Sequence, residues 1–374
     1  MAALRHIQLP SYANATLPTF PSYSFASRVQ SILQQELLAW KASPASTRGP
    51  PPPPTIISFT PAPTYTLGRR QTEPLSASEL ARLRAPLYIT TTQNRNDSTA
   101  ITATTAPGDR IESKSGDAAA TGGGGEEKSK SKAAFIPTVT HAPRGGLATY
   151  HGPGQLVLWP VIDLHSPLHA RLSVRDYACL LERTTIATLA RRRWGALAGF
   201  TTENPGVWVR TTKTTTTTQG GKEEEKGGGG GEEEERKIAA LGVHLRRHVT
   251  GLGVAINYST PVAGPEDTNP WARIVACGLS GRGVTSLCAE LGHSSSNYNT
   301  YEGEDTAATL QYLACSWADE FQARLKMHEN AADTAEGYDI ESWRARIPDD
   351  QDDGLVQAQV LPLMHDTNQR VAYQ

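Results

Sequence analysis

The chain has 374 residues, with 36 basic and 38 acidic side chains for a formal net charge of −2. That balance argues against a dedicated nucleic-acid binder, and the longest uninterrupted apolar stretch, Leu156 to Ile162, is far too short to span a membrane. Its four cysteines, Cys179, Cys277, Cys288 and Cys315, form no CxxC pair, which suits neither a zinc site nor a disulfide framework and points to a reducing compartment.

The N-terminus carries Arg5 and Arg28, several Ser and Thr, and no acidic residue before Glu36. This weakly resembles an organelle transit peptide, although Pro10, Pro18 and Pro21 break any amphipathic helix there. The spacing of Val29, Ile32, Leu33, Leu37 and Trp40 predicts a helix over Ser24–Lys41. A proline run, Pro50 to Pro54, stiffens the connector to a strand at Thr55–Phe59. Gly68 ends the next extended segment and exposes Arg69 and Arg70, as a solvated turn or toward an acidic partner or phosphate. From about 94 to 132 the composition collapses into Ser, Thr, Ala, Gly and charge, too poor in apolar surface to offset chain entropy, and is expected to be a disordered insertion.

Order resumes at Phe135–His141 and enters the densest stretch of the chain, Arg144-Gly-Gly-Leu-Ala-Thr-Tyr-His-Gly-Pro-Gly-Gln155, followed by an apolar run from Leu156. This reads as a glycine-bent binding loop feeding a buried strand. Ser173 with Asp176 makes a capping-box-like start for a second helix ending near Arg193. A short strand at Gly206–Val209 precedes a second low-complexity insertion at about 211–236. Val243, Leu245 and Val249 then alternate with His244, Arg246, His248 and Thr250, a half-buried strand whose basic face suits solvent or an acidic protein. Gly251-Leu-Gly253 is expected to turn the chain into a strand at Val254–Tyr258. Ile274–Cys277 is expected to be extended, and Leu310, Leu313, Trp317, Phe321 and Leu325 align on a third helix over Asp305–Leu325. Together these predict one mixed α/β domain over 1–326, with 327–374 a loosely packed acidic tail.

The chain has no GxxxxGK[ST], no complete dinucleotide fingerprint, no GxSxG and no HExxH. Cys277, at the end of an apolar segment and the start of a glycine turn, is the best nucleophile candidate; buried packing as a small hydrophobe is its competing role. Lys237 opens the small-residue segment Ile-Ala-Ala-Leu-Gly and is either a buried cation able to lower a thiol pKa or the solvated end of the charged insertion. His151 reads as a base, a metal ligand or a hydrogen-bonding loop residue, with no second ligand at metal spacing.

Three segments together resemble the lipoyl(octanoyl) transferases: Arg144–Gln155, Lys237-Ile-Ala-Ala-Leu-Gly-Val243, and Ala276-Cys-Gly-Leu279 with Val284-Thr-Ser-Leu287. Tyr65-Thr-Leu-Gly-Arg69 is similar to the family's upstream strand and turn. The resemblance implies the α/β (α+β) fold of the biotin/lipoate protein ligase catalytic domain, a mixed β-sheet core with flanking helices. It implies transfer of an octanoyl or lipoyl group from acyl carrier protein to a lysine of a lipoyl domain or of the glycine-cleavage H protein, through a cysteine acyl-thioester, in the mitochondrion. Cys277 would be the nucleophile and Lys237 the residue that lowers its pKa and moves protons. The acyl-binding positions would be Arg144, Gly145, Gly146, Leu147, Ala148, Thr149, Tyr150 and His151, then Ala240, Leu241 and Gly242, then Gly253, Val254 and Ala255. No cofactor, metal, nucleic acid or membrane span is implied. Leu252 and Ala276 depart from the family pattern, which often has His and Pro there.

Overall fold

The computed structural model of the protein describes residues 4–9, 11–13, 18–93, 129–212, 233–275, 282–292, 306–327 and 359–361. The chain opens with strand β1 (Arg5–Gln8) and the short pair β2 (Tyr12–Ala13) and β3 (Pro18–Thr19), and enters helix α1 (Tyr23–Ala42). Ser22 caps that helix by accepting from the Phe25 amide at 3.1 Å. Next come β4 (Thr55–Phe59), β5 (Thr64–Leu67), α2 (Ala77–Leu83), β6 (Leu87–Gln93), β7 (Ser129–Phe135), β8 (Thr138–His141), β9 (Ala148–His151) and β10 (Gln155–Val161). Helix α3 (Val174–Leu189) starts on the expected capping box between Ser173 and Asp176. Strands β11 (Gly206–Thr212), β12 (Glu233–Arg246), β13 (Val249–Asn257) and β14 (Gly283–Val284), helices α4 (Leu287–Glu290) and α5 (Thr306–Leu325), and β15 (Gln359–Leu361) complete the order.

The main sheet runs β11-β12-β13-β10-β4-β1-β15, with β14 paired in parallel to β12. Strand β1 is parallel to β4 and the central pairs are antiparallel, so the sheet is mixed. Strand alternation divides its side chains between two cores. Leu156, Leu158, Val254 and Ile256 pack with α3 and α5, while Val157, Trp159, Val161 and Ala255 pack with Phe25, Val29 and Leu33 of α1. A smaller sheet, β8-β5-β9, carries the glycine loop, and its Tyr65 and Tyr150 join Leu83, Leu87 and Trp271 in a third cluster.

Several expectations are corrected. The reversal falls at Arg247–His248, both left-handed (φ 50° and 67°), and Gly251–Gly253 lie inside β13. Glycine marks close packing there: a Cβ on Gly253 would collide with the Leu158 carbonyl. The strand ladders reach into both expected insertions, since β7 begins at Ser129 and β12 at Glu233, against Thr212; residues 94–128 and 213–232 lie outside the described residues. The expected extended approach at Ile274 follows a 3₁₀ turn, Pro270–Arg273, started by Asn269 accepting from the Trp271 amide. Gln359–Leu361, expected in the tail, pair antiparallel with β1. Arg5–Gln8 form a strand hydrogen-bonded between β4 and β15.

Candidate active site

The glycine loop is built around Arg144. Its guanidinium donates to the carbonyls of Gly145 and Leu147 (2.9 Å each) and to the carbonyl and hydroxyl of Thr66 (2.7 and 2.8 Å). The amides of Arg69 and Arg70 donate back to the carbonyls of Arg144 and Gly146. Gly68 is required at this crossing, because a Cβ there would fall 2.7 Å from the Gly145 carbonyl oxygen. Charge-assisted bonds of this kind contribute about 1.5–3 kcal/mol each. Arg144 therefore holds the loop in shape with its head and packs its stem toward Gly242, where a Cβ would lie 2.7 Å from Arg144 Cδ.

His151 is buried and stacked on Tyr23, with centroids 5.5 Å apart and planes 22° apart. Burial lowers its pKa to about 4, and the Arg144 charge adds to the effect, so the ring is neutral at pH 7. Its Nδ1 pairs with Gln155 Oε1 at 2.7 Å. Gln155 Nε2 donates to Asn257 Oδ1 at 2.8 Å, and Asn257 Nδ2 donates to the Thr285 carbonyl at 3.0 Å. The Thr285 amide in turn donates to the Lys237 carbonyl at 3.0 Å. A continuous polar relay thus joins the loop histidine to the strand that carries Lys237.

A pocket lies over β10, β12 and β13. From the expected set it is lined by Arg144, Thr149 and His151, by Ala240, Leu241 and Gly242, and by Gly253, Val254 and Ala255. Gly145, Gly146, Leu147, Ala148 and Tyr150 are not in the lining; Tyr150 packs against Tyr65 and Trp271 instead. Sequence reasoning missed Tyr23, Val157, Trp159 and Leu252, which also line it. Tyr23 comes from α1, far from any motif, and Leu252 was read as part of a turn. The Thr149 hydroxyl is buried with no hydrogen-bond partner among the described residues.

Lys237 is buried at 6 % exposure, donates to the Pro205 carbonyl at 3.0 Å, and sits 4.7 Å from the Trp208 ring centroid. Both contacts suit an ammonium. A bulge sets its direction. Val207 pairs with Ala239 and Trp208 with Lys237, which leaves Ile238 as the extra residue. Ile238 and Ala239 both enter the core beneath α3 and α5. Lys237 and Trp208 therefore share the opposite face, which Ala240 and Gly242 also occupy.

Cys277 lies outside the described residues, as does Ala276. Among the described thiols, Cys288 and Cys315 are buried and pushed up to about 11, chiefly by burial, as unreactive core groups are. Cys179 is partly exposed on α3. Among the described residues no group of three or more His, Cys, Asp and Glu could hold a metal ion, and no helix is long and apolar enough to cross a membrane.

The model of the lipoyl protein ligase A/B catalytic domain matches residues 134–302, in agreement with the mixed α/β fold. A probable octanoyltransferase of Schizosaccharomyces pombe is 30% identical over 287 residues, covering 77% of this chain and 88% of that one. The mitochondrial octanoyl-[acyl-carrier-protein]:protein N-octanoyltransferase of Xenopus tropicalis is 39% identical over 149 residues, 40% of this chain and 47% of that one. A solved bipartite lipoate protein ligase from Thermoplasma acidophilum superposes with a TM-score of 0.40 at 11% identity, covering 93% of this chain and 98% of that one. The chain belongs to the octanoyltransferase family and is an acyltransferase. It spans about half the length of the Xenopus relative.

Proposed function

We propose that this enzyme moves an octanoyl or lipoyl group from acyl carrier protein to a lysine of a lipoyl domain or of the glycine-cleavage H protein, through an acyl-thioester on Cys277. The Cys277 thiolate attacks the donor's carbonyl carbon. The carbon–sulfur bond to the pantetheine thiol breaks, and that thiol leaves with a proton held at Lys237 Nζ. The acceptor lysine's amine then attacks the acyl-cysteine, the amide forms as the amine's proton passes to the now neutral Lys237 Nζ, and Cys277 leaves as thiolate. Thioester exchange is nearly balanced and amide formation from a thioester is downhill, so the scheme consumes no ATP.

The observation that carries the reading is the position of Lys237: buried, outside the pocket lining but on the same face of β12 as the lining residues Ala240 and Gly242, and hydrogen-bonded through its carbonyl to Thr285. Gly283, six positions after Cys277, pairs with Arg236 next to it, and six residues reach at most about 21 Å. The relatives support octanoyl transfer, and the mitochondrial Xenopus and Danio rerio members support a mitochondrial setting.

Transfer from octanoyl carrier protein to a purified lipoyl domain tests it. Cys277→Ser is expected to lose transfer by a factor of at least about 10³, and Lys237→Met by about 10²–10⁴, the usual worth of a positioned proton carrier. ATP-dependent transfer that survives loss of Cys277 would overturn the proposal in favour of an adenylating ligase.

A further inference from the structure

Leu252 has a backbone that its sequence neighbours do not explain. It sits inside β13 at φ 60°, flanked by Gly251 and Gly253, so the left-handed position has fallen on a leucine with a glycine on either side. The amide of Leu252 is held by Gln30 Oε1 at 2.6 Å, and Gln34, one helical turn on along α1, donates to the Thr250 carbonyl at 3.0 Å. Helix α1 thus grips the strand at the irregularity and two residues before it.

The consequence is a change of face. By strict alternation Leu252 would share the side of Val254 and Ile256, beneath α3 and α5. Its side chain instead joins Val157, Trp159 and Ala255 in the core under α1, and lines the pocket. Trp159 stands beside it, fixed edge-on between Tyr23 (5.1 Å, 79°) and Phe59 (4.8 Å, 82°). All three wall residues, Tyr23, Trp159 and Leu252, are buried, so protein lies behind them.

The wall stands at the far end from the candidate chemistry. Leu252 pairs with Val243, three positions beyond Ala240, where the pocket lining on β12 begins, and that separation is roughly 10 Å at ~3.3 Å per residue. An acyl chain whose carbonyl lies beside Ala240 and whose tail follows Gly242 runs toward Leu252.

We infer that Leu252 is the specificity-determining residue that limits acyl-chain length, its left-handed backbone turning a leucine across the pocket end against Trp159 and Tyr23. This rests on the acyl-transfer reading above and adds to it the residue that selects among straight-chain substrates.

The test uses the full chain as wild type, Leu252→Ala and Leu252→Gly. Each is assayed for transfer from a ladder of saturated acyl carrier proteins, shorter and longer than octanoyl, and for binding of the matching free fatty acids by calorimetry. Glycine suits the backbone and alanine keeps a Cβ, so a folded variant is obtained by at least one route. The expected result is a shift of the optimum by about two to three carbons, the volume that leucine loses, with the selectivity for longer chains rising about fourfold per added carbon. An unchanged length profile in a cooperatively folded variant overturns the inference. Wild type that transfers no acyl chain of any length overturns the transferase reading instead, and the fatty-acid binding profile then decides the role of Leu252 by itself.

Discussion

At the scale of single residues, the pocket is where stability and binding pull apart. A leucine in left-handed backbone costs roughly 1–2 kcal/mol, while its burial at 3 % exposure contributes about 1.5–3 kcal/mol. Glycine in a strand is ordinarily about 0.5–1 kcal/mol worse than alanine. At position 252 the order is expected to reverse, with Leu252→Gly at least as stable as Leu252→Ala by denaturant unfolding. The ordinary order there would mean that the left-handed geometry carries no strain. Thr149 offers a second separation. Its hydroxyl is buried without a partner among the described residues, and such a group costs about 1–3 kcal/mol. Thr149→Val keeps the shape, so it is expected to raise stability by about 1 kcal/mol and to raise KM for the acyl donor several-fold. A stability loss with unchanged KM would contradict the reading of Thr149 as a ligand contact.

At the scale of elements, the β12–β13 hairpin brings the parts together. One bulge at Ile238 turns Lys237 to the pocket face, and the Gln155–Asn257–Thr285 relay ties that strand to the glycine loop. Asn257→Ala takes the donor from the Thr285 carbonyl and leaves Gln155 Nε2 with the Tyr150 carbonyl at 3.3 Å, for an expected loss of about 1–3 kcal/mol. Because Asn257 is linked to Lys237 through Thr285, kcat is expected to fall more than KM rises; an equal loss in both would place Asn257 in substrate binding instead. The three long helices and the buried strands were legible because their periodicities are long and their caps local, as Ser173 with Asp176 shows. The hairpin was not. Arg247 and His248 adopt φ values usually left to glycine or asparagine, so the reversal carried no turn signal, while the real glycines, Gly251 and Gly253, serve strand packing. In the pocket, residues in contiguous motifs were visible, whereas Tyr23 arrives from α1 through tertiary packing alone.

At the scale of the whole molecule, two buried histidines tie the sheet and the loop to pH. His6 pairs with Ser58 at 2.7 Å between β1 and β4, and burial lowers it to about 4, as it does His151. Between their ordinary value of 6.5 and about 4 the unfolded chain binds more protons than the folded one, so stability falls as pH drops through that window. The expected loss is about 2 kcal/mol per histidine by pH 5. Urea unfolding between pH 7 and pH 5 reads it, and His6→Asn should halve the slope; a flat profile would contradict the burial of both rings. The same architecture sets Lys237 on β12 beside β14, the strand after Cys277, and ties both to the glycine loop through Asn257 and Gln155, and the central claim is that an acyl group passes through Cys277. Intact mass after mixing with octanoyl carrier protein, followed by peptide mapping, tests it most directly. The account predicts one added octanoyl group, carried by the Cys277 peptide and absent from Cys277→Ser. An octanoyl group on another residue, or acyl transfer at the wild-type rate from Cys277→Ser, would contradict it.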